Sequence, residues 1–169
     1  MSGTLTQQHE LDVFRRFVEI ARIEVDLSSV IQPSPPAPDI VCKISGNDYG
    51  FELTTLTDEI IERKVGTRKS GYSNFRIDIS DAVERITTKG AKRYSISRVD
   101  LVLHEGATPI DDLWICNKTE LDSALQAATN DADFLRVWVV DFYNKISRCY
   151  TRHDTVRDSR STTQSRRPP

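Results

Sequence analysis

Three cysteines, three histidines and no long apolar run among 169 residues exclude several classes of function at once. Cys42, Cys116 and Cys149 lack close paired spacing, so they form neither a disulfide framework nor a zinc pattern. Cys42 lies in an apolar run and reads as a core thiol. His9, His104 and His153 are too scattered for a zinc centre. No stretch of about 18 apolar residues occurs, so no membrane span is expected. The amino terminus has neither the basic region nor the apolar stretch of a secretory signal, which makes a cytoplasmic location the expectation. No internal repeat, P-loop, dinucleotide fingerprint or nucleophile elbow occurs in the sequence.

What is present suffices for one folded domain. A hydrophobic fraction of 38% can build a core, and 28% charged residues favour solubility. The formal net charge of -2 argues against a uniformly basic nucleic-acid coat, but leaves a local basic cleft open. We expect a single domain over residues 1–150. Residues 151–169, rich in Arg, Ser and Thr, read as a disordered basic tail.

Apolar residues spaced three and four apart (Leu11, Phe14, Phe17, Val18, Ala21, Val25) predict an amphipathic helix over residues 9–26. The prolines of residues 33–38 break it and predict a stiff, extended connector. Ile79, Ala82, Val83 and Ile86 mark a second helix, opened by Ser80 or Asp81 and closed by Gly90. Strands are predicted over residues 94–103 and 134–142, the latter continuously apolar at its centre, as in a strand covered on both faces. Leu121, Ala124, Leu125 and Ala128 place a helix between them, and a strand-helix-strand unit of this length favours parallel pairing.

The chemistry gathers in residues 38–54. Asp39 heads one apolar run and Glu52 lies within the next, 13 residues on, with a four-residue turn containing Gly46 between. As an antiparallel hairpin, these strands bring both carboxylates to one edge of a sheet, where they can hold a hard divalent cation. Asp39 as a strand cap and Glu52 on a solvated face is the plainer alternative. Glu19, at the border of the first helix's apolar stripe, either points toward this pair or is a surface acid. Strand alternation puts residues 39, 41 and 43 on one face, so Lys43 can share the face of Asp39.

Cations follow. Thr57 and the acids after it predict a short helix ending at Gly66, and residues 66–74 read as a loop. Arg63, Lys64, Arg68 and Lys69 make a compact basic cluster there. Lys89 and Lys92 sit at the end of the second helix, where cations complement the helix dipole or contact a nucleic-acid backbone.

In order, these elements resemble the PD-(D/E)xK nuclease superfamily, whose signature falls on Pro38-Asp39 and on Glu52-Leu53-Thr54. The resemblance spans roughly residues 9–143. It implies an α/β, restriction-endonuclease-like fold with a central mixed sheet flanked by helices. It implies metal-dependent hydrolysis of nucleic acid, with Mg²⁺ (or Mn²⁺) held by Asp39, Glu52 and the backbone carbonyl of Leu53. Glu19 best matches the family's acid from the first helix, with Glu10 and Glu24 as alternatives. Thr54 stands where the family carries lysine. The amine is then expected from Lys64, with Arg63 beside it, or from Lys43, while Thr54 can donate a hydrogen bond. Arg63, Lys64, Arg68, Lys69, Lys89 and Lys92 are the expected nucleic-acid contacts. The competing reading is a non-catalytic nucleic-acid-binding or assembly module, with a homodimer open to either.

Overall fold

The structure, a computed structural model, describes residues 5–56, 77–106 and 109–153. Its elements are α1 (Leu5–Ala21), β1 (Asp26–Ile31), β2 (Ile40–Ile44), β3 (Asn47–Thr55), α2 (Ile79–Gly90), β4 (Val99–His104), α3 (Asp111–Ile115), α4 (Lys118–Asp131), β5 (Arg136–Asp141) and β6 (Ile146–Thr151). The six strands form one mixed sheet in chain order. The β3–β4 and β4–β5 pairs are parallel and the others antiparallel.

Both faces of the sheet are covered. Val13, Phe14, Phe17 and Val18 of α1 pack on Ile40, Cys42, Phe51, Leu53, Val102, Trp138 and Val140. The Phe14 and Phe17 rings lie 5.2 and 5.7 Å from Phe51, in the tilted and edge-on geometries that aromatic quadrupoles favour. On the other face Ala82 and Ile86 of α2 and Leu121, Leu125 and Ala128 of α4 cover Leu101, Leu103, Val137 and Val139. β4 is buried along its whole length, as a central strand with helices above and below must be.

The hairpin and the parallel β4–α4–β5 unit follow the sequence pattern. The hairpin turn is two residues, tighter than the pattern implied, with positive φ at Ser45 (50°) and Gly46 (80°). Two such residues match the right-handed twist of the flanking strands. α2 is capped by Asp78 and not by Ser80 or Asp81 as expected, in a reciprocal capping box: Asp81 N donates to Asp78 Oδ1 and Asp78 N to Asp81 Oδ2.

Elsewhere the pattern misleads. The first helix ends at Ala21 instead of continuing to 26, because Arg22 adopts φ 54°. Ile23 N then donates to Val18 O and Arg22 N to Glu19 O, a Schellman closure without its customary glycine. The chain enters β1, which the periodicity hid. There Asp26 Oδ1 accepts from Ser28, and Lys43 N donates to Ser29 Oγ, so side chains complete the ladder where its register shifts. The strand expected from residue 94 begins at Val99. β6, at the carboxyl-terminal end of the predicted domain, was not expected as a strand, and its last residue, Thr151, falls where the tail was predicted to begin. It pairs with β5 from Asp141 opposite Ile146 to Arg136 opposite Thr151. The predicted short helix after Thr57 and the basic loop of residues 66–74 lie outside the described residues, as does nearly all of the predicted tail. No helix among the described residues is long and apolar enough to cross a membrane.

Candidate acidic site

The β2–β3 register runs from Ile44 opposite Asn47 to Ile40 opposite Phe51. One further step sets Asp39 across from Glu52, on the same face of the pair. Asp39 is tied to this position: Leu53 N donates to its Oδ2 at 2.8 Å. Pro38, buried beside it, packs over Gly50. A Cβ at Gly50 would meet Pro38 Cγ at 2.5 Å and Ile96 Cδ1 at 2.7 Å, so only glycine admits this close approach.

Glu52 is 3% exposed, and two ammonium groups reach it from the end of α2. Lys89 Nζ lies 3.1 Å and Lys92 Nζ 2.7 Å from Glu52 Oε1. Burial alone would depress Lys92, but the hydrogen bond and charge of Glu52 reverse this and hold its ammonium above the usual range. Asp39 behaves differently. Burial and then the neighbouring Glu52 charge raise its carboxyl to about 6, against a smaller opposing effect of the Leu53 N–H. The Tyr94 hydroxyl is buried here without a hydrogen-bond partner. Burial and the Glu52 charge push its ionisation far above the ordinary phenol range.

A concavity of about 340 Å³ opens at the carboxyl ends of β3 and β4, lined by Glu10, Val13, Leu53, Thr54, Lys89 and His104 among others. This is where open α/β sheets commonly take ligands. Thr54 is 5% exposed, and its Oγ1 has no hydrogen-bond partner. Such a buried donor ordinarily costs stability, so it marks a place where water or a ligand completes the structure. Glu10 Oε2 accepts from Gln32 Nε2 at 2.9 Å, which anchors the acid at the rim.

Several expectations need revision. Lys43 is not at the acidic pair: its Nζ lies 3.0 Å from Asp48 Oδ1 near the hairpin turn, about 13 Å along the strand from Asp39. Glu19 does not overlook the pair either. It is exposed and lines a different concavity, with Arg15, Glu24 and Leu27. Glu10, nine positions earlier and half a turn around the helix, is the α1 acid on the correct side. Lys89 and Lys92, the expected nucleic-acid contacts at the end of α2, both pair with Glu52. Arg63, Lys64, Arg68 and Lys69 lie outside the described residues. Tyr94 carried no recognisable signal beyond its strand propensity.

The sheet holds a second buried acid with a different character. Asp100 accepts from Tyr49 Oη at 3.0 Å, Arg136 Nε at 2.8 Å and Trp138 Nε1 at 2.8 Å. With three donors saturating it, this carboxylate anchors β3, β4 and β5 and has little capacity left for a ligand.

Among the described residues no three His, Cys, Asp or Glu side chains gather as a metal cage. Two carboxylates and a carbonyl nevertheless suit Mg²⁺, which keeps several waters and shares its shell with substrate phosphates. In comparisons with known proteins, no family model, curated protein or solved structure matches the chain.

Proposed function

We propose that the acidic site is a divalent-metal-dependent phosphodiesterase centre acting on nucleic acid, on a restriction-endonuclease-like fold whose lysine has moved from β3 to α2. The observation that carries this reading is the convergence of Asp39, Glu52 and the Lys89 ammonium beside an open concavity. The metal, Mg²⁺ or Mn²⁺, held by Asp39, Glu52 and the Leu53 carbonyl, would acidify water and neutralise phosphoryl charge.

The chain's own groups supply the rest. Lys89, largely shielded from solvent, places a fixed positive charge where the transition state accumulates negative charge. Thr54 Oγ1 offers an uncommitted hydroxyl to water or a phosphoryl oxygen. Glu10 at the concavity rim can accept a proton or hold water. Leu53 N fixes the Asp39 carboxylate, and Pro38 against Gly50 fixes the backbone that carries it.

One observation favours a non-catalytic role. Both lysines already neutralise Glu52, so the cluster is also a self-sufficient ion-pair network. Calorimetric titration with Mn²⁺ separates the readings. The nuclease reading expects binding that Asp39→Asn and Glu52→Gln abolish, together with cleavage of DNA or RNA that both variants lose. Unchanged Mn²⁺ binding in both variants would remove the proposed ligands and leave an assembly role.

A further inference from the structure

A separate concavity of about 240 Å³ lies beside the acidic site, lined by Lys92, Arg93, Tyr94, Ser97, Asp133 and Arg152 among others. It shares Lys92 with the Glu52 ion pairs, as the larger concavity shares Lys89. Two guanidiniums, Arg93 and Arg152, face one carboxylate here, beside the half-exposed Lys92 that also pairs with Glu52. Asp133 draws the two guanidiniums together, pairing with Arg93 through Oδ2 and with Arg152 through Oδ1. A guanidinium has five donors, so one carboxylate does not exhaust Arg93, whose side chain is 84% exposed. The exposed Ser97 adds a hydroxyl. Fork-shaped donors, an ammonium and a hydroxyl around a net positive hollow are the chemistry that selects phosphate. Its volume is below the range of about 300–1,000 Å³ typical of whole small-molecule pockets, which fits one phosphate with part of its sugar.

We propose that this concavity binds the phosphate of a nucleic-acid strand adjoining the one at the acidic site. The inference rests on the phosphodiesterase reading and specifies its substrate as a strand with at least two consecutive phosphates. Arg93 and Arg152 hold the neighbouring phosphate, and Lys92 joins the two subsites. This arrangement also offsets the repulsion that Asp39 and Glu52 exert on a polyanion. Predicted backbone contacts at the end of α2 thereby move from Lys89, which is committed to Glu52, to residues beyond it.

The test is fluorescence anisotropy of a labelled short oligothymidylate, titrated at several salt concentrations without divalent metal. Arg93→Gln and Arg152→Gln should each weaken binding about tenfold, the loss of a charge-assisted hydrogen bond. Each should reduce the slope of log affinity against log salt by about 0.7, one single-strand phosphate contact. Ser97→Glu should weaken binding comparably while leaving both Asp133 ion pairs in place. Asp39→Asn should bind as well as the wild type or better. Wild-type affinity in all three concavity variants, or no binding by the wild type at low salt, overturns the proposal. So does loss in the arginine variants with full binding by Ser97→Glu, which assigns the effect to the ion pairs alone. Displacement by inorganic phosphate as readily as by unlabelled oligonucleotide would identify a free-anion pocket instead. The expected binding pattern without Asp39-dependent Mn²⁺ uptake or cleavage would refute the metal centre and leave the phosphate site standing.

Discussion

Lys89 lies 37 residues beyond Glu52 in sequence, yet its Nζ sits 3.1 Å from the Glu52 carboxylate. In the proposed phosphodiesterase centre this amine, from the last turn of α2, takes the place of the charge that β3 lacks at Thr54. Packing of α2 against the sheet and α4 makes this contact, and no local spacing rule encodes it.

Lys89→Met tests that substitution of roles. Methionine keeps the length and apolar stem but removes the charge. Glu52 retains Lys92, so urea denaturation should show a loss of about 1–2 kcal/mol, less than for an orphaned buried charge. On the phosphodiesterase proposal, cleavage should fall by about 10²–10³ while Mn²⁺ binding persists. Lys92→Met should cost less on both counts, because Lys92 is half exposed.

The acidic pair predicts a pH dependence of definite sign. The Asp39 carboxyl is raised from 3.8 to about 6, so the folded state holds its proton more tightly than the unfolded chain. Its contribution to stability is complete below about pH 4 and disappears as the pH rises through about 6. Asp39→Asn should abolish this decline, a difference of about 1–2 kcal/mol after solvent screening. At the proposed metal site the dependence runs the other way, since a ligand must be deprotonated. Calorimetric Mn²⁺ affinity should climb between about pH 5 and 7 and then level off.

Gly50→Ala tests whether Pro38 seats Asp39. The new methyl collides with Pro38 and Ile96, and overpacking of this kind costs about 1–3 kcal/mol. Mn²⁺ affinity should drop more than for an equally destabilising change elsewhere in the core, such as Ile86→Val. Equal affinities in the two variants would show that Pro38 packing is irrelevant to the site.

Asp100 should matter for stability and not for metal. Asp100→Ala strands three donors in the interior, including the Arg136 guanidinium, and should cost about 3–5 kcal/mol in urea denaturation. Where Asp100→Asn remains folded, Mn²⁺ affinity should match the wild type.

The α/β character of the chain was legible because periodicity is a local property. Phe14, Phe17 and Val18 recur at helical spacing, and Val137 to Val140 form the continuous apolar run of a doubly covered strand. The hairpin that opposes Asp39 to Glu52 was legible for the same reason. Its strands and turn lie within one short segment, and alternation alone assigns their faces. β1 and β6 were not, because edge strands with one exposed side carry Ser, Asp, Arg and Thr and read like loops.

The remainder of the site depended on contacts distant in sequence. Sequence alone favoured Glu19 over Glu10 and Glu24, but the docking of α1 on Phe51 and Trp138 sets Glu10 above the β3 end and turns Glu19 away. Lys43 lay nearer Asp39 in sequence than Lys89, but the rise of a strand carries it off while the packing of α2 brings Lys89 in. By itself the sequence determined the elements with strong apolar periodicity and the facing of Asp39 and Glu52, since side-chain alternation and short turns act over a few residues. Only the tertiary structure decided which cations and which helix acid meet that pair, because burial of two apolar faces sets where helices dock and polar groups follow their backbone.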